Sequence, residues 1–268
     1  MHIIYVGVRM LFCKMNGLGN DYIFFESSKC NNESFNYLKE NIVRLTRLLS
    51  NRNFGIGSDG VVLVEDSIVA DAKMSIFNAD GTEALMCGNA LRCVGKLIYE
   101  KRKYTNDTYT IETPSGIKKI KIIDNNPRES IIETEMGMPT LIKREDEIEF
   151  YNIGNNHAVF YADELDDKAI AMAQNISLQY DLNVEAVSVV GDKISMRVWE
   201  RGSGETLACG TGASCVAFSA MKRGLCNGNT NIYLKGGQLL AKLSEEGISL
   251  VGKANINYIG EINLDYYG

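Results

Sequence analysis

A short motif that occurs twice constrains the fold of this chain more than any other feature. Residues 83–94 read E-A-L-M-C-G-N-A-L-R-C-V, and residues 205–216 read E-T-L-A-C-G-T-G-A-S-C-V. Glu, Leu, Cys, Gly, Cys and Val coincide at one fixed offset. In each copy a cysteine and a glycine precede apolar residues at helical spacing. We therefore expect two similar halves, each with one cysteine at the start of a helix.

The repeat extends on both sides of these motifs into segments whose alternating pattern is typical of strands. The matched pairs are residues 74–78 with 196–200, 110–121 with 231–242, and 19–25 with 154–160. Residues 35–50 and 163–178 have the spacing of amphipathic outer helices. These patterns predict an α/β (more narrowly α+β) protein with two pseudo-symmetric domains. A curved mixed or antiparallel sheet wrapped around a central apolar helix is one way to bury such a helix in each domain, and we expect the active site in the cleft between the domains.

The boundary between the halves is expected near E-M-G-M-P at residues 135–139. We assign residues 1–135 to the N-terminal half and residues 136–256 to the C-terminal half. The end of the chain, residues 257–268, is expected to form a strand at 258–267 that returns to the first half. The first coherent strand pattern begins near Met10, so translation could start at Met1 or at Met10.

Composition limits the kinds of partner. The chain has 268 residues, of which 45% are hydrophobic and 23% charged, as in a globular protein with a core. A net charge of −6 without a run of Lys and Arg argues against nucleic acid, and no stretch approaches the ~18 apolar residues of a membrane span. The odd number of cysteines, 7, favours free thiols in a reducing cytoplasm. We expect a cytoplasmic protein that binds a small molecule.

Cys87 and Cys209 are the candidate reactive groups. A free thiol has a pKa of about 8.5, and the unpaired N–H groups of a helix N-terminus make it more acidic. Two activated thiols from two similar halves suit an enzyme that transfers protons on both faces of one carbon. Cys93 and Cys215 are expected in the core, and the sequence gives no chemical context to the three remaining cysteines, Cys13, Cys30 and Cys226.

The backbone next to these two thiols could bind an anion. Helix N-termini bind carboxylates through their outward-pointing N–H groups and stabilise negative charge on a neighbouring carbon. The N–H groups concerned belong to Gly88, Asn89, Gly210 and Thr211.

Other uses of the cysteines and glycines fit the spacing less well. A zinc site made of Cys87, Cys93, Cys209 and Cys215 would need C-x5-C in place of the usual C-x2-4-C. No C-x-x-C redox pair occurs. The G-x-G pairs at residues 17–19 and 55–57 do not continue into a dinucleotide fingerprint. The spacing therefore argues against a zinc site, a redox pair and a dinucleotide site.

Further motifs identify a family. They are K-M-N-G-L-G-N-D-Y at 14–22, G-I-G-S-D-G at 55–60, F-N-A-D-G at 77–81, M-C-G-N-A-L-R-C at 86–93, E-T-P-S-G at 112–116, N-V-E at 183–185 and E-R-G-S-G-E-T-L-A-C-G-T-G at 200–212. Together they strongly resemble the diaminopimelate epimerases, over nearly the whole chain from about residue 11 to 262. The motif at 200–212 is long and highly specific.

The resemblance implies a mechanism and a set of site residues. One cysteine, as thiolate, removes the α-proton of an amino acid, and the other, as thiol, delivers a proton to the opposite face, without pyridoxal phosphate or metal. It implies that these bases are Cys87 and Cys209, and that His157 lies near the thiols. The implied substrate contacts are Asn20, Asn78, Gly88, Asn89, Asn155, Asn183, Glu200, Arg201, Gly210 and Thr211. Arg201 would pair with a carboxylate as a bidentate fork.

The chain departs from the family pattern at four positions. Asn16 stands where histidine is frequent, and Ala90 stands where glycine is common. Asn156 replaces the proline before the motif histidine, and Lys253 replaces a frequent proline near the C-terminal strand. None of these removes a thiol, but Asn156 bears on how strictly the distal end of the substrate is recognised.

The implied reaction is the interconversion of LL- and meso-2,6-diaminopimelate in lysine and peptidoglycan-precursor biosynthesis. Three alternatives stay open: a two-cysteine racemase of another amino acid or of a diaminopimelate analogue, a relative of the isomerases with this duplicated fold that lack thiols, and a non-enzymatic metal-binding module. The two Cys-Gly motifs argue against the second. Which thiol is the base for which stereoisomer, the oligomeric state (a homodimer is one option), closure of the halves and redox control are not settled by the sequence.

Overall fold

The computed structural model describes residues 8–103 and 105–267. The strands are β1 Arg9–Gly17, β2 Asn20–Glu26, β3 Gly60–Glu65, β4 Ala72–Asn78, β5 Glu83–Ala84, β6 Thr108–Thr113, β7 Gly116–Asn125, β8 Glu129–Gly137, β9 Thr140–Glu145, β10 Ile148–Asn152, β11 Asn156–Tyr161, β12 Asn183–Val190, β13 Lys193–Glu200, β14 Gly204–Thr206, β15 Asn229–Leu234, β16 Gly237–Ser244 and β17 Gly247–Asn263. The α-helices are α1 Asn32–Glu40, α2 Ile42–Ser50, α3 Gly88–Lys101, α4 Asp167–Tyr180 and α5 Gly210–Lys222.

The strands of the first half close into a barrel around α3. Antiparallel pairs join β1 to β2 and β3 to β4, and parallel pairs join β2 to β3 and β4 to β6. The row continues antiparallel through β7 and β8 to β17, which pairs with β1 and closes the ring. Residues of α3 from Gly88 to Ile98 are all buried inside this ring.

The second half repeats this order around α5. Strand β10 pairs with β9 and β11, and the row runs through β12, β13 and β15 to β16, again with parallel pairs at β11–β12 and β13–β15. The first residues of β17 pair with β16, so this long strand contributes to both rows. The expected fold class, a mixed sheet around a central helix in each half, is confirmed.

Each central helix has its own apolar core. One buried cluster surrounds α3 and includes Leu91, Val94 and Cys93, and a second surrounds α5 and includes Cys215 and Val216. Both inner cysteines are therefore core residues, as expected. Outside the sheets, α1 and α2 cover one further cluster and α4 covers another.

Two expectations about secondary structure were wrong in detail. Residues 35–50 form two helices, because Asn41 caps both and its side-chain amide donates to the carbonyl of Tyr37 at 3.0 Å. Such a local side-chain bond competes with the helical pattern. The final strand begins at Gly247 and ends at Asn263, and a 3-10 turn, Leu264–Tyr267, follows it.

The other helix expectations agree with the structure. The segment predicted at 163–178 is α4, which Asp166 caps by accepting from the N–H of Ala169 at 2.9 Å. The first strand begins at Arg9, and Met1 lies outside the described residues. Across residues 8–103 and 105–267, no helix is both long and apolar enough to cross a membrane.

Candidate active site

The two central helices meet at their N-termini, between the halves. Cys87 and Cys209 are the N-cap residues of α3 and α5, both with extended backbone. A Cβ built on Gly210 would lie 3.8 Å from the Cα of Gly88, and the Cβ positions of both glycines lie 3.2–3.5 Å from the Cε of Met136. Glycine after each cysteine therefore lets the two helix ends approach each other closely.

Amides and a phenol surround Cys87, which is partly exposed. Its thiol donates to the Oδ1 of Asn20 at 3.4 Å, and the hydroxyl of Tyr22 donates to its sulfur at 3.7 Å. Burial raises the pKa of the Cys87 thiol, whereas hydrogen bonds from the N–H groups of Ala90 and Asn89 and from Tyr22 lower it. The thiolate, when it forms, has hydrogen-bond donors ready.

Carboxylates stand beside Cys209, which is buried. The N–H of Gly212 donates to its sulfur at 3.4 Å, and the hydroxyl of Thr211 lies 3.4 Å from the same atom. Burial, followed by the charges of Glu200 and Glu185, raises the pKa of the Cys209 thiol well above its ordinary value. Burial and the two carboxylates therefore all favour the protonated form of Cys209.

His157 is fully buried and hydrogen-bonded through both ring nitrogens. Its Nδ1 lies 2.7 Å from the Oε1 of Glu185, and its Nε2 lies 3.1 Å from the Oδ1 of Asn155. The Nδ2 of Asn155 donates in turn to the hydroxyl of Thr211 at 3.4 Å. A chain of contacts thus links a buried carboxylate to the group beside Cys209.

The space for Glu185 exists only because residue 212 is glycine. A Cβ on Gly212 would lie 2.2 Å from the Oε1 of Glu185. Tyr22 pairs with Gly60 and its counterpart His157 pairs with Asn183, so Val62 in the first half corresponds to Glu185. Ala90 corresponds to Gly212 in the repeated motif, and both Val62 and Ala90 are fully buried. Alanine at residue 90, which departs from the family pattern, is therefore compatible with an apolar neighbour.

Glu200 ends β13 and Arg201 follows it, and their side chains point in different directions. Glu200 accepts from the hydroxyl of Thr206, and burial raises its pKa. Arg201 forms an exposed ion pair with Asp181 at 3.1 Å, and its backbone N–H donates to the Oδ1 of Asn183 at 2.9 Å. The structure thus places Glu200 near the thiols and the guanidinium of Arg201 at the rim.

Asn20 and Asn78, two of the remaining predicted asparagines, both lie close to Asp59. The Nδ2 of Asn20 donates to Asp59 at 2.8 Å, and Asp59 also accepts from the N–H of Asp21 at 3.0 Å. Asn78 pairs with Gly60 across β3 and β4, directly after Asp59, and its Nδ2 donates to Thr82 at 3.1 Å. A carboxylate only accepts hydrogen bonds, so Asp59 fixes the Asn20 amide with its oxygen towards Cys87.

Asn89 joins the two halves. Its Nδ2 donates to the Oδ1 of Asn20 and to the carbonyl of Ala208, both at 3.2 Å. Ala208 directly precedes Cys209. The side chain of Asn89 therefore ties the Cys87 helix to the loop that carries the other thiol.

The four-cysteine metal site considered from the sequence does not form, because Cys93 and Cys215 lie in separate cores. Among the described residues, one group of three side chains carries atom types that bind metals, with the atoms of His157, Glu185 and Cys209 within 4.8 Å of one another. Both nitrogens of His157 are already hydrogen-bonded to oxygen. The group is accounted for as a hydrogen-bonded network.

Sequence reasoning missed several residues that shape the site. Tyr22 could have been found, because it occupies the repeat position of His157. Glu185 ends the N-V-E motif and Asp59 lies in G-I-G-S-D-G, but neither spacing shows which atoms they contact. Arg92 is the first charged residue of α3 and follows uncharged residues at the helix start. A charge at that position was the sequence signal that could have pointed to it.

Solved structures share this fold at low sequence identity. A phenazine biosynthesis protein of the PhzF family from Bacillus anthracis has a TM-score of 0.70 at 15% identity, with 95% of this chain and 99% of that chain covered. A hydroxyproline epimerase from Agrobacterium vitis has a TM-score of 0.66 at 14% identity, with 96% and 91% covered. These likenesses show the fold, in which one cysteine from each half caps a central helix.

Sequence comparison specifies the family. The diaminopimelate epimerase profile matches residues 12–142 and 150–257. The diaminopimelate epimerase of Methanococcus maripaludis strain C6 is 37% identical, with 95% of this chain and 100% of the relative covered. That of Parabacteroides distasonis is 39% identical, with 87% and 90% covered. The chain belongs to the diaminopimelate epimerase family.

Proposed function

We propose that this chain interconverts LL- and meso-2,6-diaminopimelate by moving the α-proton between Cys87 and Cys209, without a cofactor. The observation that carries the proposal is that one cysteine from each half caps a helix where the two helix ends meet. Membership of the family supports the substrate. The reaction belongs to lysine and peptidoglycan-precursor biosynthesis.

In this proposal the reacting end of the substrate lies between the helix ends. Its α-carboxylate accepts from the N–H groups of Gly88, Asn89, Gly210 and Thr211, which carry the positive ends of two helix dipoles. The same groups stabilise the charge that develops as the α-proton leaves. One sulfur takes that proton as thiolate while the other gives its proton to the opposite face, and each then carries the other's former protonation state.

The distal amino-acid end requires side-chain recognition. Asn20, Asn78, Asn155, Asn183, Glu200 and Arg201 are the proposed contacts. The guanidinium of Arg201 must exchange the exposed carboxylate of Asp181 for that of the substrate. Because the side chains of Arg201 and Asp181 are both solvent-exposed, their ion pair is weak, and breaking it costs little free energy.

The remaining expectations belong to the same proposal. The division into residues 1–135 and 136–256, with the end of the chain returning to the first half, is supported by the pairing of β17 with β1. A cytoplasmic location fits seven free cysteines. A homodimer is proposed as the state in solution, to be measured by sedimentation velocity.

Isotope exchange tests the substrate assignment. The purified protein is incubated with LL-diaminopimelate in deuterium oxide, and the α-proton signal is followed by NMR with proline and other α-amino acids as parallel samples. Loss of the α-proton signal together with formation of the meso form is expected for diaminopimelate alone. Exchange of another amino acid without exchange of diaminopimelate would overturn the assignment and leave the two-thiol chemistry in place.

A further inference from the structure

Arg92 is a buried cation without a carboxylate partner. It lies on α3 with no exposed surface. Its Nη2 donates to the Oδ1 of Asn89, and its Nε donates to the carbonyl of Lys253 at 3.3 Å. In residues 8–103 and 105–267, its Nη1 has no hydrogen-bond partner, and no Asp or Glu forms an ion pair with it. Burying an unpaired charge is unfavourable, so a compensating charge is expected close by.

The group that can supply this charge is the thiol of Cys87. The guanidinium holds Asn89, and the Nδ2 of Asn89 donates to the same Asn20 oxygen that accepts from Cys87. Burial lowers the pKa of Arg92, and the charges that raise it come from Cys93 and Cys87. Burial raises the pKa of both cysteines, but Cys93 lies within the apolar cluster around α3, whereas Cys87 has Tyr22 and the helix N–H groups as donors for a thiolate.

The second half has no such cation. At the repeat position of Arg92 it has Ser214, a buried hydroxyl that donates to the carbonyl of Gly210 at 3.0 Å. It has Glu185 where the first half has Val62. The charged groups around the two thiols therefore differ. A buried guanidinium is connected to Cys87 through Asn89 and Asn20, whereas Cys209 has the carboxylates of Glu185 and Glu200, of which Glu200 also acts on Cys87.

We propose that Arg92 is a positioning residue whose buried charge makes Cys87, and not Cys209, the thiolate of the free enzyme. The other groups facing Cys87 are the hydroxyl of Tyr22 on β2, the carboxylate of Glu200 on β13, and Asp59 behind Asn20. When Cys87 ionises, its bond to Asn20 is lost, and Tyr22 and the helix N–H groups remain as donors. This proposal deepens the proposed function and rests on it.

Competitive alkylation of the full-length protein tests the proposal. The protein is treated with limiting iodoacetamide near pH 8, and mass spectrometry of peptides measures the modified fraction of each cysteine, because only the thiolate reacts. In the wild type Cys87 is modified first. In Arg92→Met its rate falls at least about tenfold, the effect of one pKa unit on the thiolate fraction, while Cys209 changes less than about twofold. Arg92→Lys keeps the charge and restores most of the rate.

Lys96→Met is the matched control. Lys96 is also fully buried on α3, one turn further from the thiol, but it has its own partners in Glu100, at 2.8 Å, and the carbonyl of Asn126, at 2.8 Å. Its replacement removes a buried cation from the same helix and leaves the alkylation rate of Cys87 unchanged. Unfolding midpoints of all three variants separate loss of charge from loss of fold.

The results that overturn the proposal are distinct from failure of the proposed function. Preferential alkylation of Cys209 in the wild type would contradict it, as would equal slowing of Cys87 in Lys96→Met and Arg92→Met. An alkylation rate of Cys87 in Arg92→Lys as low as in Arg92→Met would show that the charge of residue 92 is not what matters and that Arg92 only packs. A wild type that leaves diaminopimelate unchanged refutes the substrate, yet the order of alkylation is still measured.

Discussion

The two halves share one plan but surround their thiols with different chemistry. In the first half, Tyr22, Asn20 and Ala90 adjoin Cys87, and the residue beneath the helix start is the apolar Val62. In the second half, His157, Asn155 and Gly212 occupy the matching positions, and a carboxylate lies beneath. Duplication supplied two equivalent thiols, and substitution around them made their acidities different.

This difference has a direct consequence for a reaction that uses both thiols. A two-base reaction needs one thiolate and one thiol at the same time. Two interacting thiols in identical surroundings would carry the thiolate with equal probability, whereas different surroundings favour one proton arrangement in the free enzyme. The asymmetry therefore defines a working state before the substrate binds.

The largest effect is expected from Glu200→Gln, which removes a charge that acts on both thiols. Activity against pH should be bell-shaped in the wild type, rising as the first thiol ionises and falling when the second also does. Because the charge of Glu200 raises the pKa of Cys209, its removal should move the alkaline limb to lower pH by about one unit. A pH profile of kcat/KM checks this. An alkaline limb at the same pH in Glu200→Gln would show that Glu200 does not act on the pKa of Cys209.

A smaller effect on activity is expected at Arg201. Arg201→Lys should raise KM about tenfold with little change in kcat, because lysine cannot form a bidentate pair with a carboxylate. Asp181→Ala frees the guanidinium and should leave KM unchanged or slightly lower. Steady-state kinetics of both variants test the distal contact, and an equal rise of KM in both would place Arg201 in a structural role.

Stability should respond differently to matched exchanges in the two halves. Gly212→Ala drives a Cβ to within 2.2 Å of Glu185 and should lower the free energy of unfolding by about 1–3 kcal/mol, as overpacking does. The reciprocal change, Ala90→Gly, creates no clash and should lower it by about 1 kcal/mol through helix propensity. Denaturant unfolding compares them. A larger loss of unfolding free energy for Ala90→Gly than for Gly212→Ala would contradict the close packing of Glu185 against residue 212.

The smallest effects are expected at the inner cysteines. Cys93 and Cys215 are buried in the two cores, and burial raises the pKa of both thiols strongly, so neither is reactive. Cys93→Ala and Cys215→Ala should each lower stability by about 1 kcal/mol and leave kcat unchanged. A large loss of kcat in either variant, with the fold intact by circular dichroism, would extend the site into the core.

The sequence predicted the fold well because the fold is a repeat. Two copies of strand, glycine loop and cysteine-capped helix restrict the topology more than any single propensity does. The helix break at Asn41 escaped notice because the apolar spacing continues across it, while one side-chain hydrogen bond decides the outcome. The true extent of β17 depends on pairing with β1 and β8, which are far away in sequence, as well as with the adjacent β16.

The sequence predicted the reactive groups of the site but not the residues that hydrogen-bond to them. The thiols follow from the repeated motif, and the family motifs supplied the asparagines. The partners of these groups are set by tertiary contacts, as when Asp59 orients Asn20 across 39 residues of sequence. Arg201 differs from the asparagines in this respect. Its motif predicts a contact with a substrate carboxylate, and in the structure its guanidinium pairs with the carboxylate of Asp181.

The central claim, that the two thiols act as a pair, has one direct test. LL-diaminopimelate is incubated in deuterium oxide with the wild type, Cys87→Ala and Cys209→Ala, and the meso product is measured by NMR and chiral chromatography. The wild type is predicted to form meso-diaminopimelate with deuterium at the inverted carbon, and neither variant is predicted to form it. Formation of deuterated meso product at a comparable rate by either single-thiol variant would contradict the account.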